Sequence, residues 1–176
     1  MQQTLLALAA ILSFSYYALS RHSTDTEVER DAIATEIETA VTDAARARLL
    51  RTTGLAFDEK DVGRTGIRTV AVSTVLGPDA GEPGGTPAGT AAFDDVDDVN
   101  GWTETLSVPV GAGAVQVRVS GLAEFVPVNA PDADAVGYAT LAKRITITAV
   151  EVPDGPLRNR TPATAALKRV VTPTSL

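Results

Sequence analysis

A run of aspartates between Phe93 and Trp102 is where side chains with useful chemistry are most concentrated. The segment reads FDDVDDVNGW and contains four aspartates: Asp94, Asp95, Asp97 and Asp98. Clustered carboxylates are the ligands that hard cations such as calcium prefer. The first question is therefore whether this segment binds a metal ion or has a structural role.

The spacing of these aspartates does not match the calcium loop of an EF-hand. That loop needs oxygen ligands at positions 1, 3, 5 and 12, with glycine at position 6. A loop that begins at Asp95 has Val99 at the fifth position and Asn100 at the sixth, and one that begins at Asp94 has Val96 at the third. We expect no metal site, and a looser calcium site built from the four aspartates stays open as the alternative.

A structural role is the interpretation that we favour for this segment. Asp and Asn side chains cap turns, and Asn100-Gly101 is a turn signal ahead of an alternating strand. Phe93 and Trp102, at the two ends, are then expected to anchor the segment to a β-rich head, where it meets a long helix. The two elements that must hold the segment are predicted from the rest of the chain.

The composition limits the classes of function. The chain has 176 residues, of which 44% are hydrophobic, and a net charge of −7, so one domain with a real core is expected. An acidic surface argues against nucleic acid as a partner, because phosphate binding needs clustered lysine and arginine. An Asp-rich, Lys-poor composition suits a high-salt habitat, and a GC-rich genome would equally favour arginine over lysine.

Nothing in the sequence indicates an enzyme, and no catalytic residue or cofactor is expected. The chain has no cysteine, which excludes disulfides, thiolate catalysis and cysteine-based zinc sites. The single histidine, His22, borders an apolar run, which favours a solvated side chain over the base of a catalytic triad. No G-x-x-x-x-G-K-[ST] phosphate-binding loop occurs.

The first 53 residues lack glycine and proline, whereas all 14 glycines and all 10 prolines come later. The absence of both helix breakers predicts one long helix over residues 1–53, about 80 Å in length at 1.5 Å per residue. Gly54 is well placed to end it. Ser, Thr and Asp side chains over 20–26 compete for backbone hydrogen bonds, so we expect the helix to loosen or break there and to restart with a capping box at Thr24 and Glu27.

The two parts of this helix differ in chemistry. Residues 1–20 carry no charged side chain and match the thickness of a bilayer core, which predicts a segment buried in a membrane or in a filament core. A removable signal peptide is the weaker interpretation, because no basic residue precedes the apolar run. Residues 24–53 are amphipathic, and their apolar stripe is expected to pack on the head: Ile33, Ile37, Val41, Ala45 and Leu49.

From Gly54 onward the pattern predicts a β-rich head over 54–176. Glycine-containing connections at 111–113 and 120–121 indicate an antiparallel meander, and a glycine- and proline-rich stretch over 77–92 is predicted to be a flexible loop. The apolar residues of the last long strand change from one face to the other along its length, and a bulge near Ala149 would bring them to the same face. The fold class is therefore α+β, with strands predicted at Arg68–Leu76, Trp102–Val110, Ala114–Ser120, Leu122–Val128 and Tyr138–Val152.

This arrangement resembles that of type IV pilins and of the pseudopilins of type II secretion systems. In these proteins an uncharged apolar N-terminus continues into an amphipathic helix, and a β-rich head follows. Local motifs are similar as well: LLRTTGLAFDE at 49–59, FDDVDDVNGW at 93–102 and RITITAVEV at 144–152. The last two are similar to segments of minor pilins of the mannose-sensitive haemagglutinin type.

The resemblance implies a structural subunit of an extracellular type IV pilus-like filament that supports adhesion, motility or surface attachment. The alternatives are a pseudopilin of a type II secretion system and a membrane-anchored periplasmic binding module. The implied partners are further copies of the same chain and, for a precursor pool in the inner membrane, the pilus assembly machinery. The filament core would bury the apolar side chains of the N-terminal segment: Met1, Leu5, Leu6, Leu8, Ile11, Leu12, Phe14, Tyr17 and Leu19.

The chain also departs from the pattern of the family. No basic, glycine-ended leader precedes Met1, so the resemblance implies that Met1 is the processed and methylated first residue of the mature protein. Leu5 stands where pilins usually carry a glutamate. No cysteine-closed loop is present, so we expect strand pairing to hold the C-terminal region.

Two kinds of glycosylation site are candidates in that C-terminal region. Asn159 and Thr161 belong to an N-x-T sequon, which is the acceptor sequence for attachment to asparagine. Thr-Pro pairs at 161–162 and 172–173 are candidates for attachment to threonine. An unmodified mass of isolated filaments would contradict both expectations.

Overall fold

A computed structural model describes residues 2–63, 72–78, 93–153 and 160–173 of the chain. Within these ranges the elements are one long helix, α1 (Gln2–Thr52), a short 3₁₀ helix (Glu59–Asp61) and four strands, β1 (Thr103–Val110), β2 (Gly113–Phe125), β3 (Lys143–Glu151) and β4 (Thr164–Val171). The strands form one antiparallel sheet in the order β1-β2-β3-β4. The predicted α+β class, a long helix followed by an antiparallel sheet, is confirmed.

The helix α1 is continuous over 51 residues, because no glycine or proline interrupts its hydrogen bonds. The predicted break over 20–26 is wrong. The hydroxyls of Thr24 and Thr26 donate to the carbonyls of Ser20 and Ser23 at 3.0 and 2.8 Å, so they bond within the helix instead of drawing its backbone out of it. Thr24 is therefore an interior residue and not the N-cap of a second helix.

The C-terminal half of α1 packs on one face of the sheet. Its apolar stripe is buried as its spacing predicts, since Ile37, Val41, Ala45 and Leu49 are buried and Ile33 is half-buried. Removal of apolar surface from water, at roughly 25 cal/mol per Å², stabilises this layer. On the sheet side the core consists chiefly of Trp102, Val115, Val117, Val119, Ile145 and Ile147.

The sheet is more continuous than the sequence pattern predicts. The two strands predicted at Ala114–Ser120 and Leu122–Val128 form the single 13-residue strand β2. The connection predicted at Ser120-Gly121 is wrong because Gly121 pairs with Ile147 inside the ladder. The bulge predicted near Ala149 is also wrong, since every second residue of β3 from Lys143 to Glu151 is buried.

The remaining strands differ from expectation at the two ends of the head. The described part of the strand predicted at Arg68–Leu76, residues 72–76, is irregular. The pattern does not single out β4, yet this strand pairs with β3 along its whole length, which confirms that strand pairing holds the C-terminal region. The flexible loop predicted over 77–92 lies almost wholly outside the described residues.

Gly121 allows the aspartate segment (residues 93–102) to lie directly against β2. A Cβ at this position would lie 2.6 Å from the Val99 carbonyl oxygen and 2.8 Å from the Val99 Cβ. We therefore expect Gly121→Ala to lower the free energy of unfolding by about 1–3 kcal/mol, because overpacking forces the backbone to move. Urea unfolding would measure this, and Gly113→Ala is the matched control, since the atom nearest to its Cβ would lie 3.9 Å away. Equal midpoints for Gly121→Ala and the wild type would contradict the close packing.

Candidate functional site

The N-terminal part of α1 extends from the head as an arm, which we define as residues 3–32. Every side chain described in the arm is exposed apart from the half-buried Thr26. At 1.5 Å per residue the arm is about 45 Å long. Ile33, immediately after it, packs against the hydrophobic core, so the arm begins where the support of the head ends.

The outer part of the arm exposes the predicted assembly core. Large exposed apolar surfaces mark contact surfaces. The apolar side chains of this core lie on all sides of the helix. The side chains of Met1 and Leu5 lie outside the described residues. Within the part of the chain that the structure describes, no helix has an apolar stretch long enough to cross a membrane. Seven residues of the predicted core are between 58% and 72% exposed: Leu6, Leu8, Ile11, Leu12, Phe14, Tyr17 and Leu19.

The aspartate segment lies at the opposite end of α1 and pairs with the chain that leaves the helix. Ala56 and Asp95 form a parallel bridge. The Ala56 amide donates to the Asp94 carbonyl at 3.2 Å, and the Val96 amide donates to the Ala56 carbonyl at 2.9 Å. The segment is therefore part of the junction between helix and head.

Aromatic side chains anchor both ends of the aspartate segment at this junction. The rings of Phe93 and Trp102 meet edge to face, with centroids 6.0 Å apart. The Arg48 guanidinium of α1 lies 5.9 Å from the centre of the Trp102 ring and pairs with Glu104 of β1. The anchoring that the sequence predicts for Phe93 and Trp102, against the head and the long helix, is confirmed.

Two of the four carboxylates cap turns of their own segment, as the sequence predicts. Oδ1 of Asp95 accepts hydrogen bonds from the amides of Asp97 and Asp98 at 2.8 and 3.3 Å. Oδ2 of Asp98 accepts from the amides of Asp94 and Asp95 at 2.9 and 3.2 Å. These carboxylates hold the segment in its fold.

A buried lysine is the cation of this cluster. The side chain of Lys143 is fully buried at the start of β3. Its ammonium contacts Oδ1 of Asp97, lies 3.6 Å from Oδ2 of Asp58 and donates to the Phe57 carbonyl at 2.7 Å. The ring centres of Phe57 and Phe125 lie 4.7 and 5.9 Å from it. Because a buried charge is costly unless it is paired, these contacts explain why a lysine is tolerated here.

The sequence pattern does not single out Lys143 or Asp58. Lys143 lies 46 positions after Asp97, so no local motif joins them. One signal was available, because Lys143 has the same parity as Ile145 and Ile147 and therefore faces the core in a regular strand. Asp58 lies in the motif at 49–59, where it caps the 3₁₀ helix by accepting from the Lys60 amide at 3.2 Å.

This geometry does not favour the calcium alternative at the four aspartates. The carboxylates of Asp95 and Asp98 are used by backbone amides, and Asp97 pairs with Lys143. Asp94 keeps one buried oxygen without a hydrogen-bond partner. Among the residues that the structure describes, no group of three or more His, Asp or Glu side chains could hold a metal ion.

The other residues singled out from the sequence lie outside the aspartate segment. His22 is exposed on the arm, and Thr161 and Thr172 are exposed near the C-terminus. Asn159 lies outside the described residues. Glycosylation at Asn159 or Thr161 therefore stays a prediction.

Burial, followed by the charge of Asp97, raises the pKa of Asp95 from 3.8 to about 8. The charge of Lys143 and the hydrogen bond from the Asp97 amide act in the opposite direction. Burial has this effect because it disfavours the charged form of a carboxyl group. Asp95 therefore keeps its proton in the folded protein at neutral pH.

Asp95→Asn is expected to flatten the pH dependence of stability. Asp95 loses its proton near pH 3.8 when unfolded and near pH 8 when folded. Between these pH values the folded state therefore binds one proton more than the unfolded state. The free energy of unfolding therefore falls as the pH rises, by at most about 1.4 kcal/mol per pH unit. Asparagine keeps an oxygen that can accept the two amides but does not titrate, so urea unfolding between pH 5 and 8 should show a smaller decline.

The matched control for this experiment is Asp134→Asn, which removes an aspartate from an exposed loop. It is expected to leave the wild-type slope of stability against pH unchanged. If Asp95→Asn and the wild type lose stability at the same rate as the pH rises, Asp95 does not hold the extra proton.

Comparison of the chain with protein-family models, with curated proteins and with solved structures finds no match. The function is therefore inferred from two features, the arm and the aspartate segment. The arm has apolar side chains that the described head leaves uncovered, whereas the aspartate segment and Lys143 satisfy each other inside the head. The arm is accordingly the feature that points to a partner.

Proposed function

We propose that this protein is a structural subunit of an extracellular, type IV pilus-like filament in which the arms of many copies bundle into a core. The observation that carries the proposal is the exposure of seven large apolar side chains on the arm, each between 58% and 72% in the single chain. The resemblance of the sequence to pilins supports the same conclusion.

Bundling of the arms would bury the apolar side chains that the head leaves exposed. A fully buried Leu, Ile or Phe side chain contributes about 1.5–3 kcal/mol. Six of the seven exposed side chains are of these types, and they would contribute on the order of 10 kcal/mol per subunit, before the cost of ordering the subunits is subtracted. A gain of this size is enough to drive association.

The distribution of these side chains favours a filament over a closed dimer. They lie on all sides of the helix, so one partner would cover only part of them. A heterologous contact that repeats by rotation and translation surrounds each arm with neighbours and generates an open polymer. Small residues between the large ones allow close approach of the helices: Ala7, Ala9, Ala10, Ser13, Ser15 and Ala18.

The continuity of α1 determines where the heads lie in such a filament. Because the helix is unbroken from Gln2 to Thr52, the arm and the head are joined by a stiff rod. Bundled arms would therefore place the heads outside the core. The role of the filament in adhesion, motility or surface attachment, and an inner-membrane pool served by an assembly machinery, rest on the resemblance alone.

Electron cryo-microscopy of filaments sheared from cells that produce the chain would test this proposal. We expect a helical polymer in which residues 6–19 of neighbouring copies contact one another in the core. Recovery of the chain only as monomers or closed dimers would contradict the proposal. A chain that stays inside the cell envelope, and whose deletion stops protein secretion, would indicate the pseudopilin alternative.

A further inference from the structure

Lys143 and Asp97 form an ion pair that is almost completely withdrawn from solvent. Their side chains are 0% and 4% exposed, and Nζ of Lys143 contacts Oδ1 of Asp97. The pair joins the start of β3 to the aspartate segment, 46 positions apart in the chain. An amine and a carboxyl group are thus held together in the interior of the head.

The surroundings keep water away from both groups. The rings of Phe57 and Phe125 flank Nζ, and transfer of a proton from the ammonium to the carboxylate is the first step that a reaction between the two groups needs. The raised pKa of the neighbouring Asp95, at about 8, reflects the same burial. The neutral amine is a nucleophile, and the neutral carboxyl group is an electrophile.

We propose that Lys143 and Asp97 react with each other to form an intramolecular isopeptide bond. Nζ of Lys143 attacks Cγ of Asp97, the Nζ–Cγ bond forms, and the bond from Cγ to one carboxyl oxygen breaks. That oxygen leaves as water with two protons from the lysine ammonium. The ammonium and carboxylate have the same atoms and total charge as the amide and water, so no oxidant or cofactor is required.

Asp58 is placed to carry protons in this reaction. Its Oδ2 lies 3.6 Å from Nζ of Lys143, beside the amine that must lose protons as the bond forms. The amides of Lys60 and Ser73 donate to its two oxygens at 3.2 and 2.8 Å, which fixes its position. Contact between the reacting groups supplies the proximity that makes an intramolecular reaction fast.

The bond would strengthen the junction between the helix and the head. It would tie the aspartate segment, which pairs with the chain leaving α1, to the sheet at β3. In the proposed filament a pull on the arm passes through this junction, and this mechanical role rests on the proposed function. The bond itself does not depend on it, because the reacting groups all lie in one chain.

Tryptic mapping of the denatured full chain would test the bond. Trypsin cuts after Arg68, Arg118, Lys143 and Arg144, and the sequence has no other Lys or Arg between 68 and 144. We expect the intact chain to be lighter than its sequence by one water molecule, and the digest to contain 69–118 joined to 119–144, because an acylated Lys143 is not cleaved. Release of separate peptides 69–118 and 119–143, with no missing water, would overturn the proposal.

The Asp58→Asn variant tests whether the reaction can be stopped in a chain that still folds. It keeps the shape of the side chain and removes the proton carrier, so we expect a folded chain, by circular dichroism, that shows the full sequence mass and releases 119–143. A fully cross-linked Asp58→Asn chain would overturn the role of Asp58. Asp134→Asn, on an exposed loop, is the control that must remain cross-linked.

Discussion

Leu12→Arg is expected to abolish filament assembly while leaving the head folded. Leu12 is 63% exposed in the single chain and lies on the arm, so an arginine there costs the monomer little. Within a bundle of arms the same arginine would be buried without a partner, at a cost of several kcal/mol for each subunit. Since every 1.4 kcal/mol is a factor of ten in an equilibrium constant, the filament yield should fall by roughly 100-fold or more.

The yield would be measured by electron microscopy and by immunoblots of material sheared from cells. Val128→Arg is the matched control, because Val128 is 58% exposed on the head and receives the same change outside the arm. Circular dichroism of purified Leu12→Arg would check that the helix and sheet persist. Normal filaments from Leu12→Arg would rule out burial of the arm in a filament core.

Local sequence features predict the long helix and its packing face well, because each depends on residues close together in the chain. The absence of glycine and proline over 1–53 is sufficient to predict α1, and the four-residue spacing from Ile33 to Leu49 is sufficient to predict which face is buried. The break predicted over 20–26 fails because serine and threonine hydroxyls also bond to the preceding turn of a helix. A helix break and a continuous helix are both compatible with the same serine and threonine side chains, and only the structure shows which one occurs.

The candidate site was only half visible in the sequence. The aspartates of 93–102 and their turn-capping role are local, and so is the anchoring by Phe93 and Trp102. The contacts of Lys143 depend on the register of β3 and on where the chain runs after α1. Neither is set by a local pattern, so the pairing of Lys143 with Asp97 and Asp58 was not predicted.

The predicted division of β2 into two strands failed for a related reason. Glycine in a sequence usually marks a turn, so the pattern predicts a turn at Ser120-Gly121. In the structure Gly121 remains in the ladder and makes room for Val99 of the aspartate segment. A glycine therefore marks either a turn or the close approach of a distant segment, and the local sequence does not distinguish the two.

Lys143→Met is expected to lower the free energy of unfolding by at least about 3 kcal/mol, because it removes one partner of a buried ion pair and with it the proposed isopeptide bond. Methionine fills much of the space of the lysine, so the loss reflects charge more than packing. Asp97 and Asp58 would be left buried without the cation that contacts one and lies 3.6 Å from the other. Urea unfolding would measure the change. Lys168→Met, on the exposed face of β4, is the control and should change stability by less than about 0.5 kcal/mol.

Addition of Asp97→Asn to Lys143→Met distinguishes the contributions of charge, packing and the covalent bond. If the loss in Lys143→Met comes from an unpaired carboxylate, removal of that charge should recover part of the stability, because replacing both partners of a buried pair costs less than replacing one. A double variant no more stable than Lys143→Met would show that the lysine acts through packing. Neither Lys143→Met nor the double variant can form the proposed isopeptide bond. The stability that is lost with the bond is therefore not recovered when Asp97 is neutralised. A shortfall from the wild type that persists in the double variant, together with a cross-linked wild-type digest, would therefore set an upper limit on how much the bond stabilises the head, because Asp58 also remains without the cation.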